Sequence, residues 1–513
     1  MKNQRILALV CEPWQTKSMA KLLCSLEGEH GFETFSLGVM DYYQMVHQLK
    51  TFEDLKLPQH TEIKNQNQMY IEWQALEEDP NLISQEFLDN WEKSNCKSRS
   101  LADIAAGNQL VRQWERTQYT LPITPYWESR VLHDTIKWCE DYYREFRPTV
   151  VISIERFELA NSIFFEICRR EGIPMLTFIG SRIDSRWILR TDFGYGMSGK
   201  TLEEVEAATN NLSALKEAKR IVERMSLENS GTYESDSRVL VKRMQKNNRE
   251  KIEQIIIETR KLAGNIYARH FIEPKNYAIR VRRFEEDHFK LTKYLVRRHL
   301  IRSVRLFGLL RVGSMQAPRK PYLLWALHYR PETSGLVLGD GRDEIQELFK
   351  VANNLPSGWI LAVKENSLMV GERFPGFYRK LRRVKNIELI DANADTNELV
   401  KKSNGVVGIS GTVLLEAAAL GIPSCALGSP EFNEMLTHTG WDSLDGFLKD
   451  ILSGNSFVSR DQSRVLRYIA YVVSKSSEKD VKYLSDENSP NLEIMMRRFA
   501  QEVCDALQHQ DQE

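Results

Sequence analysis

Ser410, Gly411 and Thr412 interrupt the most apolar stretch of the chain, "GVVGISGTVLLEAAALGIPSCALG", and a single carboxylate, Glu416, follows four residues later. If a strand ends here and a helix begins, the first amides of that helix lack intrahelical partners. Its dipole places about half a positive charge at the same end. A glycine in the turn lets a ligand approach the backbone, two hydroxyls add donors, and the arrangement suits a phosphate. Glu416 falls one turn further on, on the same helical face as Thr412, where a carboxylate suits the vicinal diol of a ribose. The alternative is an ordinary helix cap followed by a salt-bridged glutamate, and a short glycine motif alone does not separate the two. A membrane span is excluded, because Gly405, Gly408, Gly411, Gly421 and Pro423 break a run that would need about 20 mostly apolar residues.

The elements around this turn follow an alternating pattern. "RILALVCEP", "FETFSLGVM", "PTVVISIE" and "PMLTFIG" read as strands, separated by amphipathic helices such as "LANSIFFEICRREG" that close on Gly and Pro. This rhythm predicts a parallel sheet. A second series begins after "APRKP", with strands "YLLWALHYRPE", "WILAVKE", "NIELID", "GVVGIS" and "SCALG". One of its helices, "DTNELVKKS", carries Asp395 as predicted N-cap and Glu398 in a capping-box position. Residues 50–130 are polar, rich in Trp and Gln and read as helical, and 200–315 reads as several long helices without a convincing strand. The predicted fold class is α/β, with two Rossmann-like αβα domains facing a cleft and a helical insertion between them. Expected boundaries are 1–200, 201–317, 318–440 and 441–513.

Composition narrows the partners. Lys+Arg and Asp+Glu balance at 70 each, so net charge predicts no nucleic-acid partner. The seven cysteines are scattered singly with no CxxC pair, which predicts reduced thiols in a cytoplasmic setting. The N-terminal apolar run ends at Glu12 and Pro13 without a small-residue cleavage site and reads as a first strand. One segment departs from the neutral balance: 280–311 carries ten Lys/Arg against three acids, together with Leu295, Val296, Leu300, Ile301, Val304, Phe307 and Leu309. It reads either as a helix whose Arg stems cover a neighbouring domain or as an amphipathic helix lying on the inner face of the plasma membrane.

The spacing G-T-x3-E-A-x3-G-x-P, with "LHYRPETS" (327–334), "LPSGWILAVKEN", "GERFPGFYRKL" and "EGIPMLTFIGSRIDSRW", resembles the capsule polysaccharide biosynthesis family. That family comprises GT-B glycosyltransferases that include Kdo transferases of the capsule and O-antigen pathways. The resemblance covers 148–195 and 320–430. It implies sugar transfer from a nucleotide-sugar donor, CMP-linked in preference to UDP-linked, onto a polysaccharide or lipid-linked acceptor, with no bound cofactor. Position by position, it implies that Glu332, Lys364, Glu365, Arg373, Ser410, Gly411, Thr412 and Glu416 bind the donor, with His328 beside them. Two departures stand out. Arg330 replaces a common Gln, and "KENSL" lacks the His-Pro dipeptide of many relatives, which leaves room for a donor other than a CMP-sugar.

Transfer also needs a group to handle the acceptor hydroxyl. Asp184 and Glu155 are the candidates in the first half, with His328 in the second. Arg182 and Arg186, flanking Asp184, are candidate contacts for an acidic sugar or acceptor. No DxD pair suggests a catalytic metal. Each of these residues has a structural alternative: a strand-end charge for Lys364 and Arg373, a core histidine for His328, a turn cap for Glu332. Two other functions fit the same pattern. One is a nucleotide-sugar epimerase of similar fold, and the other is a non-catalytic scaffold in polysaccharide assembly or export.

Overall fold

The computed structural model describes residues 4–10, 13–39, 56–65, 79–97, 100–106, 125–154, 159–184, 186–192, 197–227, 247–267, 288–307, 311–328, 344–370, 373, 376–454, 457–477, 480 and 489–510. Contacts divide the chain into two compact units. One comprises 1–108, 125–218 and 467–513, and the other 109–124 and 219–466. The segment expected as a helical insertion is therefore shared between the units, and the C-terminal residues return to the first.

In the first unit, apolar runs form strands β1 (Arg5–Val10), β2 (Thr34–Val39), β3 (Glu62–Asn65), β4 (Val150–Ile154), β5 (Met175–Gly180) and β6 (Trp187–Arg190). Their order is β3-β2-β1-β4-β5-β6. The first five are parallel, but β6 runs antiparallel to β5. β3 lies in a stretch expected to be helical, and β6 was not anticipated either. Only a tight hairpin, 181–186, separates it from β5, too short for the crossover a parallel strand needs. Helices α1 (Pro13–His30), α2 (Gln85–Asn95), α3 (Leu101–Ala106), α4 (Pro125–Phe146), α5 (Leu159–Glu171) and α6 (Gly199–Ala207) belong to this unit. Helix α7 (Leu212–Leu227) follows them. β1, β2 and β4 are almost wholly buried, as strands covered on both faces must be.

The second unit contains β7 (Tyr322–Ala326), β8 (Ile360–Lys364), β9 (Ile387–Ile390), β10 (Gly405–Gly408), β11 (Ser424–Ala426) and β12 (His438–Thr439), all parallel. Its order is β12-β11-β10-β7-β8-β9. Numbered within each unit, both sheets have the order 3-2-1-4-5-6, the doubly wound dinucleotide-binding arrangement. Helices α8 (Asn248–Tyr267) and α9 (His288–Leu306) precede the sheet. Then come α10 (Glu344–Asn354), α11 (Phe377–Arg382), α12 (Thr396–Lys402), α13 (Thr412–Ala419), α14 (Leu444–Ser453) and α15 (Phe457–Ser474). Helix α16 (Pro490–Gln510) packs on α1 in the first unit. Leu323, Trp325, Leu361 and Val363 of the central strands join Leu348 and Val351 of α10 and Phe447 of α14 in one core. Asp395 caps α12 as expected, accepting from the amides of Asn397 and Glu398. The Glu398 carboxylate pairs instead with Lys402.

Candidate functional site

The strand order of the second unit reverses between β7 and β10, and ligands of such sheets bind beyond the carboxyl ends of the strands at this switch point. His328 lies two residues beyond β7, and Ser410, Gly411 and Thr412 join β10 to α13. Gly411 is the N-cap of α13, with φ −66° and ψ 147°, and no side chain caps the helix. Neither the backbone angles nor the neighbours make glycine obligatory at this position. Any L-residue adopts these angles, and a Cβ at position 411 would meet only His328 Cε1 and Val413 Cγ1, both at 3.6 Å. Gly313 is different: a Cβ there would lie 2.0 Å from the carbonyl oxygen of Leu389, so the approach of the chain to β9 requires glycine. The turn at 411 keeps its backbone bare where the fold does not ask for it. Ser410 is fully buried below the turn, while Glu416 is half-buried on α13.

A network of buried charges forms at the ends of β7 and β8. Arg373 is only 2% exposed. Its guanidinium donates to both carboxylate oxygens of Glu365 at 3.1 and 2.9 Å and to the carbonyl of His328 at 3.0 Å, and lies 3.6 Å from Glu344. Tyr378 donates its hydroxyl to the same Glu365 at 2.7 Å, and burial next to that carboxylate pushes the phenol pKa well up. The backbone amide of His328 donates to Glu344 at 2.9 Å. Both polar backbone groups of His328 are therefore held, its amide by Glu344 and its carbonyl by Arg373. The imidazole is thereby positioned against Gly411. Glu365 and Arg373 satisfy each other in the interior, so their geometry is that of positioning residues rather than of charges presented to a ligand.

Lys364, the last residue of β8, donates to the carbonyl of Ala392 at 3.1 Å. Burial lowers its ammonium pKa to about 8, against the opposing pull of Glu365 and Asp391. Asp391, just past β9, is held by the amides of Val312 at 2.7 Å and Asn393 at 3.0 Å. Arg305, in the last turn of α9, donates to the carbonyl of Ser367 and to Asn393 at 3.1 Å, and desolvation lowers its pKa. Four neighbouring strand ends thus contribute His328, Lys364 with Glu365, Asp391, and Ser410 to Thr412. Sequence reasoning missed Glu344, Asp391, Tyr378 and Arg305. For the first two, the signal was a lone acid at the edge of an element, which is too common to select.

In the first unit Ser181 and Arg186 close the β5–β6 hairpin, the amide of Ser181 donating to the carbonyl of Arg186 at 2.6 Å. Asp184 occupies its tip with φ 50°, a left-handed conformation that Asp tolerates better than most residues. Arg186 is buried and reaches Ser476 of the returning C-terminal segment at 3.4 Å, while Arg182 is half-buried. The structure places these three residues together on one hairpin, one strand removed from the β1–β4 switch point. Glu155 and Glu332 lie outside the described residues. Among the described residues no His, Cys, Asp or Glu cluster could hold a metal ion, and no helix is long and apolar enough to cross a membrane.

No protein-family model matches the chain, and no curated protein matches it in sequence. Solved structures do align with it. The UDP-GlcNAc 2-epimerase of Neisseria meningitidis, bound to UDP-GlcNAc, is 12% identical over 92% of this chain and 98% of its own, with a TM-score of 0.27. The Thermosulfurimonas dismutans protein KpsC, a beta Kdo 2,4 transferase, is 12% identical over 59% of this chain and 78% of its own, with a TM-score of 0.29. A sucrose-phosphate synthase of Thermosynechococcus elongatus is 10% identical over 98% of this chain and all of its own, with a TM-score of 0.27. The fold assignment rests on the two 3-2-1-4-5-6 sheets themselves. They give two Rossmann-like units in one chain, as the sequence led one to expect.

Proposed function

We propose that the protein is a glycosyltransferase that takes a sugar from a nucleotide donor held at the β7–β10 switch point of the second unit. The observation that carries this reading is the glycine at 411, which neither its backbone angles nor its neighbours require. A donor phosphate lying against that turn would receive the first amides of α13 and the hydroxyl of Thr412, with buried Ser410 supporting the turn from beneath. Glu416, one turn on, would accept from the ribose hydroxyls. Lys364 would supply the charge that stabilises the phosphate leaving group as the glycosidic bond breaks, and Glu332 a further donor contact. Glu365 and Arg373 would act through His328 by holding its backbone.

Asp184, Glu155 and His328 remain the candidates for the group that takes the proton of the acceptor hydroxyl. Arg182 is the candidate contact for an acidic acceptor or sugar, and Arg186 would position that hairpin from its buried place. The resemblance favours an acidic sugar such as Kdo carried by CMP, and an acceptor that is a surface polysaccharide, capsular or O-antigen in type, or its lipid-linked primer. The work would be done in the cytoplasm.

Calorimetric titration with CMP, UDP, GDP and CDP, repeated on Thr412→Ala and Glu416→Ala, tests the proposal. Selective CMP binding that both variants lose supports it and directs the next assay to CMP-activated acidic sugars. Selective UDP binding moves the donor and brings forward a nucleotide-sugar epimerase. A folded protein that binds none of the four is a scaffold rather than an enzyme.

A further inference from the structure

Helix α9 carries six Lys/Arg and no acidic residue over His288–Leu306. One of its sides is committed to the second unit. Ile301 packs against Val312, Val370 and Ala392, and Arg305 is buried on the carbonyl of Ser367. A second side carries Val296, Leu300, Val304 and Phe307, spaced four, four and three residues apart, and all four are exposed, Leu300 by 58%. Helix α8 packs alongside, with Thr259 against His299 at 2.8 Å and Lys251 over the Phe307 ring at 6.0 Å. These two contacts run in opposite chain directions, so α8 and α9 are antiparallel. Helix α8 adds Ile252 and Ile256, also exposed. Single exposed apolar residues are ordinary, as Leu452 and Ile494 are elsewhere. A stripe of four on a helix without a single acid is not.

We propose that the α8–α9 pair is a docking surface for an anionic phospholipid membrane. The apolar stripe would enter the headgroup boundary while Lys293 and Arg297 engage lipid phosphate. Lys293 and Arg297 on α9 select this occupant: an apolar groove on another protein would satisfy the stripe but not these two cations. Arg305 gives the surface a fixed base, because its buried hydrogen bonds fasten α9 to the loops that follow β8 and β9. This inference does not depend on the donor reading, since membrane attachment needs no nucleotide.

The test is co-sedimentation of the full chain, without nucleotide, with vesicles of phosphatidylcholine alone and of phosphatidylcholine with 30% phosphatidylglycerol (a fraction of about a third gives ample surface charge). The protein should bind the anionic vesicles, bind neutral ones at least about tenfold more weakly, and release as salt is raised. Leu300→Ser/Val304→Ser and Lys293→Glu/Arg297→Glu should each lower partitioning about tenfold or more. Leu452→Ser and Ile494→Ser, which remove equally exposed apolar side chains, should leave it unchanged. Nucleotide titration of the Leu300→Ser/Val304→Ser variant reports separately on the donor site. No binding to anionic vesicles, or equal loss in the Leu452→Ser control, overturns the proposal. Self-association by sedimentation velocity that Leu300→Ser/Val304→Ser abolishes, without vesicle binding, assigns the stripe to a second copy and also overturns it.

Discussion

Replacing Arg373 with Met distinguishes a buried positioning residue from an exposed anion contact. The guanidinium makes two hydrogen bonds to Glu365 and one to the carbonyl of His328, and stands 3.6 Å from Glu344, with every member of the cluster essentially withdrawn from water. Met fills similar volume but leaves two buried carboxylates without their shared cation. Breaking a buried pair in this way costs about 3–5 kcal/mol. At about 2–4 °C per kcal/mol for a large domain, the melting transition of the second unit should fall by about 6–20 °C. Scanning calorimetry measures this directly. Arg373→Met/Glu365→Gln removes one of the stranded charges, so the two changes should couple by about 1–3 kcal/mol in the direction of recovery. A mobile His328 backbone should also weaken nucleotide binding in the single variant, and the double variant should regain little of it. If Arg373→Met melts within about 2 °C of the parent, less than 1 kcal/mol, while nucleotide binding collapses, the argument from burial is wrong and Arg373 is a ligand contact.

Three further outcomes follow from the same geometry. Gly411→Ala should fold with stability changed by less than about 1 kcal/mol, because φ is −66° and no neighbour is closer than 3.6 Å, yet lose nucleotide affinity at least about tenfold by titration, because the added methyl holds the phosphate off the amides of the turn and weakens a charge-assisted contact; unchanged affinity would remove the case for a ligand on that turn. Lys364, with its pKa held down at about 8, loses its charge as pH rises through that value, so nucleotide affinity should decline above pH 8. Lys364→Arg should flatten the profile, and Lys364→Met should cost about 1.5–3 kcal/mol of binding at pH 7; a flat parent profile to pH 9.5 refutes the assignment. In the first unit, burial raises the Glu502 carboxyl to about 7 despite Arg498 at 3.1 Å. A folded pKa above the ordinary value means that its stabilising effect is complete below pH 4.5 and lost as pH rises through 7, by about 3 kcal/mol. Glu502→Gln should therefore raise the urea midpoint at pH 8 but not at pH 4.5, and an equal shift at both would disprove the reading.

The parallel strands other than β3 and β12, their helices and the Ser410–Thr412 turn were legible in the chain because each depends on a local pattern, whereas β3 and β12 are too short and polar to show one. A short β-branched apolar run bounded by turn residues between helices reads as a strand buried on both faces, a Gly before a Pro ends a helix, and Asp395 caps one with its own side chain. The antiparallel β6 was not legible: four residues carry no signature of direction, and only the hairpin tip at Asp184 turns them back. Nor was the return of 467–513 to the first unit, where Arg498 binds Asp480 and the carbonyl of Trp187. The basic segment read as one helix of uncertain purpose, and the tertiary structure split it by side, burying Arg305 and exposing Leu300. Likewise, Arg373 and Lys364 looked alike as cations near strand ends. Folding joined Arg373 to Glu344 and Glu365 from other elements and left Lys364 half-buried with a depressed pKa. Local periodicity is written in neighbouring residues, whereas the state of a charge depends on which distant groups share its low-dielectric surroundings, and that only the packed chain decides.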